Sequence, residues 1–201
     1  MKIFFKVITI IFHPLLMPLA GFYILFNSGT YLNLEPIDLQ KFLYFFVFTG
    51  TFLLPVLTIP LFYFFGKISS VYLDNREERH LPILVTAVFY YFTFYLLKSL
   101  PIPHIFIIFL LSSFVSVMLT LIITLRWKIS AHLIGIGGIS ALIFAISIFF
   151  KVNLEFYFII SILVAGLVAS ARLFLEKHNL LQVSIGFLVG FFSVLGVLIF
   201  F

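Results

Sequence analysis

Long apolar runs separated by short polar clusters dominate the sequence. Seven of these runs approach the roughly 20 residues that a helix needs to cross a bilayer, so each predicts a membrane-spanning helix. The predicted spans cover about residues 3–26, 42–65, 83–97, 105–125, 130–150, 156–172 and 179–201. The pattern therefore predicts an all-α, polytopic membrane bundle with six to seven transmembrane helices.

The first and third spans depart from this simple pattern. Two lysines flank an apolar start that resembles a signal peptide, but the apolar run continues to Phe26, so we predict an uncleaved span. Prolines beside and after His13 predict a kink or a re-entrant segment, which is why the count is six to seven. The third span is short unless Leu81 and Lys98 snorkel at its ends.

Composition supports a membrane protein and excludes several other classes. Hydrophobic residues make up 64% of the 201 residues and charged residues only 9%, which is more apolar surface than a soluble domain of this size can bury. The net charge of +5 is modest and no basic arm is present, so nucleic acid is not predicted as a partner. The absence of cysteine excludes disulfides and thiolate chemistry. We predict a single domain over residues 1–201, with N-terminal spans in 1–65 and the motif-bearing core in about 66–201.

Three polar clusters interrupt the spans, at residues 74–82, 127–132 and 170–186. Two spans separate the first cluster from the second, and two more separate the second from the third. An even number of crossings returns the chain to the same membrane face, so all three clusters are able to meet. Arginine and histidine are costly at the edge of a hydrocarbon layer, and their presence there indicates a functional site.

These clusters contain the groups that phosphoryl transfer requires. The reaction needs an in-line nucleophile, a proton for the leaving group and positive charge around the phosphoryl oxygens. His132 and His178 can supply the first two, and the planar guanidinium of Arg172 binds phosphate oxygens in pairs. The starts of the fifth and seventh spans would add backbone N–H groups and a positive dipole end.

The spacing of these residues resembles the signature motifs of the type 2 phosphatidic acid phosphatase superfamily. Ile-Ser-Ala-His at 129–132 resembles the second motif, and Arg172 with His178 six residues later resembles the third. Arg-Glu-Glu-Arg-His-Leu-Pro at 76–82 loosely resembles the first motif. The resemblance covers about residues 74–186. It implies a helical core like that of the family and metal-independent hydrolysis of a lipid phosphate or diphosphate, either phosphatidate-type or polyprenyl.

The resemblance also implies a role for each matching residue. His178 would attack phosphorus and form a phosphohistidine, while His132 would protonate the leaving oxygen. Arg172 would bind phosphate, and Gln182 would orient His178. The remaining predicted phosphate ligands are Arg79, Arg76, Ser130 and Lys128. No metal or cofactor is implied; the expected partners are the lipid substrate and the bilayer, and the expected location is a bacterial inner membrane.

Several positions depart from the family pattern. The family has an aspartate four residues after the nucleophile, whereas this chain has Gln182, which accepts an imidazole proton but carries no charge. A comparable Asp→Asn change in the serine-protease triad costs about 10⁴ in rate. The first-motif lysine and the second- and third-motif small residues are also replaced, at Tyr72, Ile129, Ala131 and Ala171. The alternative function is therefore a weakened or inactive protein that binds or transports lipid phosphates.

Most of these polar residues also have a structural alternative. Gln182 can form a capping box with Asn179, a role that does not exclude orienting His178. The arginines of the first cluster can pair with Asp74 and the neighbouring glutamates in a solvated loop. Lys128 can serve as an interfacial anchor.

For His13, His104 and the membrane side, only position in the chain supports a prediction. His13 and His104 adjoin prolines at span ends and are predicted turn or interface residues, and the glycines after His132 can serve helix packing or ligand approach. If the first span crosses fully, nine of the 12 basic residues lie on the side of the clusters, which favours a cytoplasmic site. A re-entrant first segment would reverse that side, and outward-facing sites are usual in bacterial members of the resembled family, so both sides stay open.

Overall fold

The computed structural model describes residues 1–70 and 75–201, and within them the regular structure is entirely helical. Nine α-helices are formed by the described residues: α1 (Lys2–Ile11), α2 (Met17–Phe26), α3 (Ile37–Phe48), α4 (Leu54–Phe64), α5 (His80–Leu97), α6 (His104–Arg126), α7 (Ala131–Phe150), α8 (Glu155–Phe174) and α9 (Leu180–Phe200). Short 3₁₀ turns at Pro14–Leu16, Tyr31–Leu34 and Glu77–Arg79, and a π turn at Thr49–Leu53, connect or extend them.

Seven helical segments of the described chain are long and apolar enough to cross a membrane. Helices α6 to α9 each form one segment, α5 forms one with the 3₁₀ turn before it, α1 and α2 form the first, and α3 and α4 form the second. The predicted all-α, polytopic bundle is thereby confirmed. Asp74, which the sequence placed in the first polar cluster, lies outside the described residues.

Two predicted span limits are wrong, and proline explains one of them. The third span is not short, because α5 begins at His80 and a 3₁₀ turn at Glu77–Arg79 precedes it. Pro82 therefore lies in the first helical turn, where its missing N–H costs no helical hydrogen bond. The second span begins at Ile37 rather than near residue 42.

The predicted break in the first span lies at His13 and Pro14. α1 ends at Ile11, a 3₁₀ turn follows, and α2 begins at Met17, all within one 25-residue apolar segment. α1 packs against α8, where the rings of Phe5 and Phe174 are 4.6 Å apart. The 3₁₀ turn itself packs against α7, so the break lies beside the helix that carries His132 of the second polar cluster.

Helix α7 is the centre of the bundle. In its apolar window 67% of the residues are buried inside the protein, against 44% or less in every other span. It packs on α2, α6, α8 and α9. A helix that is apolar on all sides must be surrounded in this way to meet protein rather than lipid around most of its surface.

Glycines allow α7 and α9 to approach each other closely. A Cβ atom at Gly137 would overlap the carbonyl oxygen of Phe187, and one at Gly190 would overlap that of Ile134. Near the start of the pair, a Cβ at Gly186 would lie 2.9 Å from the carbonyl oxygen of Ser130. Close approach through small residues is the usual way in which membrane helices associate. These contacts, called here the glycine seam, fix the position of α7 along α9. Of the glycines after His132, Gly137 serves this packing, whereas Gly135 and Gly138 also line a cavity between the helices.

Replacing Gly190 by Ala is expected to destabilise the protein, because the added methyl group would overlap the Ile134 carbonyl. We expect a loss of about 1–3 kcal/mol, seen as a lower midpoint of thermal unfolding in detergent. The matched control is Gly196→Ala in the same helix, where no atom lies within 4 Å of the added Cβ. That variant should be unchanged or up to about 1 kcal/mol more stable. Equal midpoints for the two variants would contradict the glycine seam.

Candidate functional site

A cavity of about 280 Å³ opens between the helices where the three polar clusters meet. Its polar part is lined by Arg79, His132, Arg172 and His178, together with His13. It continues between the helices as a mainly apolar chamber, lined among others by Tyr90, Phe109, Val117, Ile139 and Val194. Residues of all three clusters therefore line one cavity, an arrangement that the count of membrane crossings allows.

His178 lies between α8 and α9 and is buried, with 9% of its surface exposed. Its Nδ1 is 2.9 Å from Oε1 of Gln182. The same oxygen accepts from the backbone N–H of Asn179 at 3.4 Å, and Oδ1 of Asn179 accepts from the N–H of Gln182 at 2.9 Å. Gln182 therefore forms the capping box and contacts the histidine at the same time.

This arrangement determines where the proton of His178 lies. An amide oxygen only accepts, and the contact with the Asn179 N–H identifies that atom of Gln182 as oxygen. Nδ1 of His178 must then be the donor, so in the neutral ring the lone pair is on Nε2. The imidazole has the tautomer of a nucleophile that attacks through Nε2.

The surroundings of His178 favour its neutral form. Burial is the largest effect and lowers the pKa of His178 to about 3, and the positive charges of Arg172, Arg79 and Lys128 act in the same direction. The hydrogen bond to Gln182 opposes them by raising the pKa. A nucleophile must be unprotonated, so these effects keep the ring available for attack.

His132 lies in the first turn of α7 and is tied to the first span. Its Nε2 is 3.1 Å from the carbonyl oxygen of Thr9, which can only accept, so Nε2 carries a proton. The lone pair of the neutral ring is then on Nδ1. The two histidines that the sequence paired thus have different tautomers, because each is fixed by a different partner.

His13 also lines this cavity, a position that the sequence did not predict. It caps the 3₁₀ turn, where its Nδ1 accepts from the N–H of Leu15 at 3.3 Å. The predicted turn position of His13 is therefore confirmed. Its ring lies 5.6 Å from that of His132, edge to face, and it lines the cavity. The available signal was a histidine next to a proline inside an apolar span, a pattern that marks broken helices at membrane binding sites.

The predicted cations and hydroxyl do not all line the cavity. Arg79 and Arg172 line it, from the turn before α5 and from the last turn of α8. Arg76 lies apart from the lining and donates to the backbone carbonyl of Arg126, which links the first and second clusters. Lys128 is partly buried and, although outside the lining, is near enough for its charge to act on His178. Ser130 is fully buried just before α7, and its Oγ has no hydrogen-bond partner among the described residues.

Two neighbouring polar residues have structural contacts. The Glu78 carboxylate accepts from Ser69 and Asn75. His80 Nε2 is 3.2 Å from the carbonyl oxygen of Thr124, which joins α5 to α6. These contacts hold the two residues on either side of Arg79, which lines the cavity.

The chemistry of this site has to be inferred from its residues and their geometry. No family model, curated protein or solved structure matches this chain. Within residues 1–70 and 75–201, no three His, Cys, Asp or Glu side chains are placed to hold a metal ion. The cavity combines neutral imidazoles with guanidinium groups and an apolar chamber, a combination suited to an amphipathic anion.

The imidazole of His178 is expected to stay neutral across the physiological range, because its pKa lies near 3 in the folded protein. An unfolded histidine titrates near pH 6.5, so between about pH 3 and 6.5 the unfolded chain binds more protons. The contribution of His178 to stability is therefore full above about pH 6.5 and is lost as the pH falls towards 3. NMR titration of ¹³C-histidine protein, with His178→Asn for assignment, measures the value. A midpoint near 6.5 for His178 would contradict the buried, neutral ring.

Proposed function

We propose that this protein hydrolyses a lipid phosphate or diphosphate without a metal, through a phosphohistidine on His178. The substrate's charged headgroup would occupy the polar part of the cavity and its apolar tail the chamber between the helices. The observation that carries the proposal is the cavity itself, where His132, His178, Arg79 and Arg172 meet although they come from three separate polar clusters. The proposal agrees with the resemblance of the motifs to the type 2 phosphatidic acid phosphatases.

In the first step, Nε2 of His178 attacks phosphorus and the bond from phosphorus to the leaving oxygen breaks. The leaving oxygen takes a proton from Nδ1 of His132, which enters the reaction protonated on both ring nitrogens. Its other proton stays on Nε2, donated to the Thr9 carbonyl. The negative charge of the bound phosphate stabilises this imidazolium. The products are a phosphohistidine and the released alcohol or lipid phosphate.

In the second step, water attacks the phosphohistidine and releases inorganic phosphate. Neutral His132 takes a proton from that water, by microscopic reversibility, and is ready for the next cycle. The guanidinium groups of Arg79 and Arg172 stabilise the charge on the phosphoryl oxygens in both steps. Each arginine can bind two oxygens at once, which holds phosphorus in line with the nucleophile.

The relative depth of the two histidines supports this direction of attack. The carbonyl of Ser130 packs against Gly186, and His132 follows Ser130 into α7. His178 precedes the start of α9, so it lies nearer the membrane surface than His132 does. A lipid whose tail enters the chamber would present its terminal phosphorus to His178 and its leaving oxygen to the deeper His132.

A second candidate function follows from the neutral side chain of Gln182. A carboxylate at this position would stabilise an imidazolium on His178, and an amide supports only the neutral ring. The cavity would still bind a lipid phosphate through its arginines. The alternative is therefore a protein that binds or transports lipid phosphates and hydrolyses them slowly or not at all.

Phosphate release from lipid phosphates is expected from purified protein in the presence of a chelator, and His178→Ala should reduce it to background. Removing the nucleophile removes the covalent route entirely. Colorimetric phosphate assay on a panel of lipid mono- and diphosphates measures the rate. His104→Ala, at an exposed histidine that starts α6, is the matched control and should keep full activity. Tight substrate binding without release in the wild type would support the binding or transport alternative.

Gln182→Asp is expected to raise turnover by about tenfold or more, because a carboxylate hydrogen-bonded to Nδ1 stabilises the charge that His178 gains. An acidic residue in the first turn also suits the start of α9, so the unfolding midpoint should not fall. The comparison is kcat for the two proteins on one lipid substrate. An unchanged or lower kcat with an unchanged midpoint would mean that residue 182 acts only as a helix cap.

A further inference from the structure

His13 is the histidine of the cavity lining that the proposed mechanism leaves unused. It is supplied by the first span, which breaks at this position and so brings a side chain from its backbone turn to the cavity. The Thr9 carbonyl of the same segment binds His132. The segment 9–13 is thus attached to the acid side of the site at two points, one hydrogen bond and one ring contact of 5.6 Å.

The orientation of the His13 ring leaves one donor available. Its Nδ1 accepts from the Leu15 N–H, so the proton of the neutral ring is on Nε2. Among the described residues, no acceptor is hydrogen-bonded to that Nε2. The ring is half-buried in a cavity whose other polar groups are suited to an anion. A half-buried N–H donor in such a place is available for a ligand oxygen.

We propose that His13 is a ligand-binding residue that donates its Nε2–H to a non-bridging oxygen on the leaving-group side of the substrate. This inference rests on the proposed function, because His132 defines which side the leaving group occupies. The donor also affects which headgroup binds best. A donor beside His132 favours a lipid diphosphate over a lipid monophosphate with the same tail.

The chemistry of the two leaving groups explains that preference. In a diphosphate, His178 attacks the terminal phosphorus and the bond to the bridging oxygen breaks. The bridging oxygen takes the proton of His132 and leaves as a lipid monophosphate, whose other oxygens are charged and gain from a nearby donor. In a monophosphate, the leaving group is an alcohol with no charged oxygen. His13 then has no anionic oxygen to bind on that side.

His13→Asn separates this role from capping the turn. The asparagine oxygen can still accept from the Leu15 N–H, as a good cap residue does, but its shorter side chain lacks the donor at the far side of the ring. We expect kcat/KM for a prenyl diphosphate to fall about tenfold to a hundredfold, the worth of one hydrogen bond to a charged group. For the prenyl monophosphate with the same tail, the change should stay below about threefold. His104→Asn is the matched control and should alter neither value.

The outcomes distinguish this inference from the proposed function. An equal loss for both substrates, or no loss for either, would overturn the role of His13 while leaving hydrolysis in place. If the wild type releases no phosphate from any lipid, the proposed function fails instead. Binding of a prenyl methylenediphosphonate and of the matching monophosphonate then decides the role of His13. A wild-type preference for the diphosphonate that disappears in His13→Asn supports it, and equal preference in both proteins overturns it.

Discussion

Close packing between α7 and α9 is the constraint on which the geometry of the site depends. Both helices start at the same membrane face, and the glycines at 137, 186 and 190 let their backbones touch. Gly186, in the second turn of α9, meets Ser130, which directly precedes α7. The contact therefore fixes how far the start of α9 lies from the start of α7 along the bundle. It therefore fixes the distance in depth between His132, inside one helix, and His178, just before the other.

Hydrogen-bond partners lower the cost of placing His132 and His178 in an apolar bundle. Gln182 satisfies both His178 and the start of α9, and the Thr9 carbonyl satisfies His132. An imidazole without such a bond would add a large cost of desolvation. The same partners determine the tautomers, so the stability of the two rings and the chemical roles proposed for them depend on the same hydrogen bonds.

Much of the fold and part of the site were predictable from the sequence. Apolar runs are long and regular, so the seven spans were found, and the errors at His80 and Ile37 came from prolines and polar residues that helices tolerate in their first turn. Arg172, His178 and Gln182 were selected because they lie close together in the sequence, and the structure places Arg172 and His178 in the cavity lining. Arg76 was assigned to the site from its neighbourhood in the sequence, but its side chain extends to the carbonyl of Arg126.

The sequence by itself determined the number of apolar spans, the shared membrane face of the three clusters and the contact between His178 and Gln182. These depend on composition, on counting crossings and on a local spacing of four residues. Only the tertiary structure decided that His13 lies beside His132 and that Thr9 holds the ring of His132. That hydrogen bond joins residues 123 positions apart. Contacts of this kind arise from how helices pack, and no local pattern of residues records which helices become neighbours.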